Sequence, residues 1–291
     1  MTTPRKKMPI NTACSEAVNE YIKNFHQYDY AKILEFLVSN SGIEDIFYVM
    51  PYPGLVILGN IQQEFVSGST QDIEMVNLQK LFKKKSNSIV DAISNEKICL
   101  GVIPIRQNES SARIGLELSS EDHYFGYILS PSDKRIYIFD SVNNKYCDIA
   151  HDIKLILSSI FPNYSFYQVE SEYSFQTCTP EYTFDIFCHT WVLNFFHLFI
   201  ALSKNNINVK KNKPAFNYKN IPKVLLEIAN IANRNPLVNQ AYIKNYMYWV
   251  SNNIFLEKSS KLSQYLEYIE YKNCLFKKIE DTSFINWSLL L

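Results

Sequence analysis

From Val192 to Leu202 the chain reads VLNFFHLFIAL, almost wholly apolar. A helix built from such a run has no polar face to turn toward water, so the remaining chain must wrap it. The run is far short of a membrane span and carries Asn194 and His197, so it reads as the buried axis of a core. Just ahead of it stands Phe184-Asp185-Ile186-Phe187-Cys188-His189-Thr190-Trp191, following a polar loop. A thiol at a helix N-terminus meets the positive end of the peptide dipoles, which favours thiolate. Cys188 therefore has two readings, a plain buried cysteine or a nucleophile.

Upstream of that helix the pattern is strand-rich. Ile98–Ile105 is a continuous apolar run ended by a polar loop and reads as a buried strand. Arg113–Leu118 alternates as a half-buried strand, and His123–Leu129 and Arg135–Asp140 flank the turn composition Ser130-Pro131-Ser132-Asp133. Asp148–Phe161 has helical period, and Ser165–Val169 reads as a fifth strand. Earlier, residues 15–40, 74–82 and 88–94 read as helices, and Phe47–Met50 and Leu55–Leu58 as short strands around Pro-Tyr-Pro-Gly. Later, Lys204–Tyr218 reads as a polar loop, and 221–232, 239–255 and 262–271 as helices. This order predicts an α+β fold: a central, mostly antiparallel sheet packed on a buried helix, with helical N- and C-terminal extensions. The expected division is a helical accessory region over 1–95, a core over 96–205 and a helical extension over 206–291.

Bulk properties exclude several classes. The formal net charge is zero, so no whole-surface affinity for nucleic acid or anionic membrane is indicated. Lys83-Lys84-Lys85 and Lys210-Lys211 read as solvated loop charge. The 6 cysteines form no CxxC pair and are irregularly spaced, which argues against a zinc site or a disulfide framework. The start, MTTPRKKMPINTAC, has charge but no apolar core of a signal peptide, so a cytoplasmic location is expected. No Gly-rich phosphate loop occurs, and no cofactor is implied. His189 and His197 lie on the axis helix without a third ligand at metal spacing and read as core histidines; His26 and His151 read as surface residues. The abundance of Asn, Ile, Lys and Tyr resembles proteins of AT-rich genomes, such as large DNA viruses or protist parasites.

Three residues occupy places that suit one device. Pairing Leu129 with Arg135 across the turn sets His123 opposite Ser141, beside Asp140, at one end of the sheet. An Asp there can orient an imidazole, and the imidazole can take a proton from the Cys188 thiol. Each residue also has a bland reading: His123 as a strand-edge histidine, Asp140 as a turn cap.

The order His123 in HYFGYIL, Asp140 in IYIFDS and Cys188 in FCHTWVLNFF resembles the ubiquitin-like-protein-specific protease and adenovirus-proteinase (adenain) superfamily of cysteine peptidases. ICLGVIPI is similar to the strand that family carries before its histidine, and F-C-x-x-W is similar to members from giant DNA viruses. The resemblance covers roughly residues 95–205. It implies a papain-like or adenain-like core and hydrolysis of peptide or isopeptide bonds, with His123 as base and then acid and Asp140 orienting it. It implies an oxyanion hole made by the Cys188 N–H and a glutamine, for which Gln176 in SFQTC is the nearest candidate. Cys178 is a rival nucleophile. Tyr124, Tyr182 or Trp191 are candidates for a narrow substrate channel, although Trp191 reads first as core. The implied partners are protein substrates, either viral precursors or ubiquitin-like conjugates. A non-catalytic binding module on the same fold, and an acyltransferase with the same triad, are the competing expectations.

Overall fold

The computed structural model describes residues 27–51, 56–58, 86–107, 123–142, 149–176, 188–204, 207–210, 213–236, 238–239, 242–243 and 246. The elements are α1 (Gln27–Ser39), β1 (Phe47–Val49), β2 (Val56–Leu58), α2 (Ser86–Ser94), β3 (Ile98–Gln107), β4 (His123–Ser130) and β5 (Arg135–Asp140). There follow α3 (Ile149–Ile160), β6 (Ser165–Gln168), α4 (Cys188–Lys204), β7 (Ile207–Lys210), β8 (Lys213–Phe216) and α5 (Ile221–Ala229). The fold is α+β, as expected. Several expectations lie outside the described residues: the helix over 74–82, the strand over 113–118, the helix over 262–271, and residues His26, Cys178 and Tyr182.

One sheet organises the chain, in the order β1-β3-β4-β5-β6, with β2 also on β3. Its centre, β3-β4-β5, is antiparallel, while β1 and β2 on β3, and β6 on β5, run parallel. The sheet is therefore mixed. The two short strands around Pro-Tyr-Pro-Gly do not pair with each other; each lies parallel to a different end of β3.

Strand alternation sends side chains to two apolar layers. Ile98, Leu100, Val102, Ile128, Tyr137 and Phe139 join α1, α4 and α5 in the larger cluster. Cys99, Ile103, Phe125, Tyr127, Leu129, Ile136 and Ile138 join α2 and α3 in the second. α4 is the axis of the larger layer, with every residue buried except Leu202 and Lys204. It lies close on β4 because Gly126 has no side chain: a Cβ there would stand 3.0 Å from Val192 Cγ1 and 3.2 Å from Phe196 Cζ. Phe195 stacks flat on Phe139 of β5, ring centres 4.3 Å apart. α5 starts with Pro222 in its first turn and buries Ile221, Val224, Leu225 and Ile228, one helical face turned to α4. Beyond it, Ile243 and Tyr246 are buried in the same cluster, and Tyr242 stacks on Trp191 at 5.6 Å.

The segment expected as a polar loop, Lys204–Tyr218, instead holds the β7–β8 hairpin, with Ile207 opposite Phe216 and Val209 opposite Pro214. Its Asn and Lys residues interleave with Ile207 and Val209 at the period of a strand, and buried Phe216 anchors it in the core.

Candidate active site

β4 and β5 are antiparallel neighbours, so the first residue of one and the last of the other come to the same rim of the sheet. The register differs from the sequence-based expectation by one position. Ser130 is a strand residue paired with Arg135, and the turn is Pro131-Ser132-Asp133-Lys134, with Lys134 at φ 52°. Asp140 is consequently opposite Phe125. The slip matters because side chains alternate: the expected register would have turned Asp140 to the opposite face from His123. In the observed one, Phe125 and His123 share a face, their rings edge-on at 4.8 Å, and Asp140 lies diagonally across from His123.

The diagonal brings His123 Nε2 to 2.9 Å from Asp140 Oδ1. The same carboxylate oxygen accepts from the Val142 backbone N–H at 3.0 Å, which holds it still. Asp140 is buried, whereas the His123 side chain keeps 16% of its surface. Cys188, the first residue of α4, lies near enough to the imidazole that its side chain helps raise it. Burial works against a charge on His123, but the Asp140 carboxylate and its hydrogen bond, then the Cys188 sulfur, outweigh it; the imidazole is raised from 6.5 to about 10. Cys188 itself retains 6% of its surface. Of the three expected side chains, His123 and Asp140 are in direct contact, and Cys188 is close enough to the imidazole to favour its charged form.

Cys99 shows the contrast. Its thiol is sealed in the sheet, donates to the Lys97 carbonyl at 3.5 Å, and is pushed up to about 12 by burial, so it stays a neutral thiol. His189 and His197 are both buried, as expected for core histidines, and burial pushes each down to about 4. His189 meets Thr190 Oγ1 at 3.2 Å and the ring of Tyr124 at 5.8 Å; His197 meets Tyr246 Oη at 3.3 Å. Among the described residues no group of three metal-ligating side chains occurs. Trp191 is core, held between Phe175 and Tyr242.

Gln176 is buried and lies at the same rim. Its backbone N–H donates to the Ser141 carbonyl at 2.9 Å, and the Ser141 hydroxyl donates to its Oε1 at 2.8 Å. The loop that carries it is pinned further: Ser174 Oγ donates to the Val142 carbonyl at 2.6 Å, and Asn239 Nδ2 to the Ser174 carbonyl at 3.0 Å. Ser141, Val142 and Asn239 were not legible as site residues, since each acts through a partner distant along the chain.

No protein-family model matches this chain, and no curated protein does. Among solved structures it is similar to the SUMO protease Ulp1 with its catalytic cysteine oxidized to a sulfinic acid, at 14% identity and a TM-score of 0.30, over 72% of this chain and 77% of that one. The same protease with that cysteine oxidized to a sulfenic acid gives the same figures. The Legionella pneumophila effector protein RavZ is similar at 9% identity and a TM-score of 0.31, over 80% of this chain and 76% of that one. Likeness at this distance says nothing of the chemistry, which rests on the side chains. No helix among the described residues is long and apolar enough to cross a membrane.

Proposed function

We propose that this protein is a cysteine peptidase that cleaves peptide or isopeptide bonds in protein substrates through a thioester on Cys188. The observation that supports it is the unbroken chain from Cys188 through His123 to Asp140, with His123 Nε2 2.9 Å from the carboxylate. A buried structural cysteine has no use for an imidazole whose far nitrogen is held by a carboxylate; a nucleophile does.

The reaction follows from the arrangement. His123, whose charged form is favoured, holds the proton given up by the thiol, and the sulfur attacks the carbonyl carbon, forming a C–S bond while the π pair moves onto oxygen. The backbone N–H of Cys188, at the start of α4 where helical N–H groups lack intrahelical acceptors, and the amide of Gln176 donate to that oxyanion. Collapse expels the amine, which leaves with the proton from His123. Water then attacks the thioester, His123 accepts a water proton, and the C–S bond breaks to release the acid. Asp140 keeps the ring oriented and offsets its positive charge throughout. The order of these residues along the chain, and their resemblance to the ubiquitin-like-protein and adenovirus proteinases, favour an amide substrate over other acyl groups.

Alkylation by iodoacetamide, with mass-spectrometric assignment, tests this reading. Cys188 should react selectively at pH 7, and His123→Ala should slow that reaction by about 10²-fold. Hydrolysis of peptidyl-coumarin amides should disappear in Cys188→Ser. An alkylation rate at Cys188 indifferent to His123→Ala would reduce it to an ordinary thiol and remove the peptidase reading.

A further inference from the structure

We infer that Ser141 is a positioning residue for the oxyanion site: its hydroxyl fixes which end of the Gln176 amide faces the reacting carbonyl. The inference rests on the peptidase reading above and adds to it a residue that no catalytic step touches. Ser141 is wholly buried and directly follows Asp140. It holds Gln176 at two points, backbone to backbone at 2.9 Å and hydroxyl to Oε1 at 2.8 Å.

The position of Gln176 relative to the thiol follows from a closed circuit of contacts. Cys188 meets His123, His123 meets Asp140, and Asp140 continues into Ser141, which holds Gln176. The neighbouring Phe175 packs its ring 5.2 Å from Trp191, one helical turn after Cys188. Gln176 is therefore tied to the carboxylate end of β5, while Phe175 beside it packs on the first turn of α4.

A primary amide has a donor end and an acceptor end, and only the NH2 can stabilise an oxyanion. An unrestrained glutamine can swap the two by rotation about its last bond. With Oε1 accepting from Ser141, the amide presents NH2 on the side away from it. Orienting that donor before substrate arrives removes a reorganisation step from the barrier.

The test separates thiol reactivity from oxyanion stabilisation. Iodoacetamide reacts by displacement at a saturated carbon and develops no oxyanion, whereas hydrolysis of p-nitrophenyl acetate does. Gln176→Ala should lower kcat for the ester by about 10²-fold, and Ser141→Ala by about tenfold, with KM and the Cys188 alkylation rate within about twofold of wild type. The double variant should be no slower than Gln176→Ala alone, because Ser141 acts only through Gln176. Multiplying effects would make Ser141 merely structural and overturn the inference. Gln176→Glu provides a second measure that leaves Ser141 intact: it keeps an acceptor for the hydroxyl and removes the donor. Its kcat should fall at least as far as that of Gln176→Ala, and an unchanged kcat would overturn the inference. If Ser141→Ala fails to fold, seen as alkylation no faster than in His123→Ala, the Gln176→Glu result decides. Wild-type alkylation unaffected by His123→Ala would instead sink the peptidase reading, a failure distinct from either of these.

Discussion

His123 is the residue on which the site's electrostatics turn. Asp140 supplies the leading interaction that raises it, against the opposing effect of burial. Its charged form is favoured in the folded state, so its contribution to stability is fully present below about 6.5 and is lost as pH rises through about 10. Asp140→Asn removes the carboxylate and leaves burial, which pushes the other way. Although the Cys188 side chain still raises it, the ring of that variant should titrate well below about 10, as read from the ring nitrogen shifts of 15N-histidine-labelled protein. Titration near 10 in the variant would show that the carboxylate is not what holds the proton. The neighbouring His189 stays near 4 in both, since burial alone depresses it.

The elements decide whether those residues can meet. Strand pairing over 125–130 and 135–140 places Asp140 at the rim, and a slip of one residue would separate it from His123 by the thickness of the sheet. The sequence makes both strands plain, but it led to the wrong register, Leu129 opposite Arg135, because Ser130 suits either a turn or a strand and in fact pairs with Arg135. Turn composition is shared among several loop lengths, whereas register depends on which layer each apolar side chain enters. The approach of α4 to β4 depends in the same way on one position. Gly126→Val would drive a branched side chain into Val192 and Phe196. The expected cost is about 1–3 kcal/mol in urea unfolding, with Cys188 displaced from His123 and its alkylation slowed. A variant with wild-type midpoint and reactivity would show that α4 is not held by that contact.

At the scale of the whole molecule, residues well outside 96–205 belong to the same sheet and core. β1 and β2 pair with β3, and Ile33, Leu34 and Leu37 of α1 share the cluster with α4. From the other end, Tyr242 covers Trp191 and hydrogen-bonds Asn194, while Asn239 accepts from the Asn233 N–H and donates to the carbonyls of Asn233 and Ser174. The loop carrying Gln176 is thus held partly by the far C-terminal side of the chain. Asn239→Ala deletes those buried bonds and should cost about 1–3 kcal/mol. Ester hydrolysis in that variant should fall more than Cys188 alkylation does, because the loop holds Gln176 and not the thiol. Equal losses in both assays would mean that the C-terminal segment supports the fold alone.

Composition and periodicity by themselves established the buried α4, the strands β3, β4 and β5, the helix opening on Cys188, and the presence of His123 and Asp140 at strand ends. These follow from local rules, because burial pattern and turn residues are written in consecutive positions. The β7–β8 hairpin escaped that reading because polar residues at strand period resemble a loop until Phe216 is seen to be buried. Tertiary structure alone decided the parallel seating of β1 and β2, the face on which Asp140 lies, and the tie from Ser141 to Gln176. Each of those is a contact between residues remote in sequence, and its free energy appears only when the closed chain brings both partners out of water together.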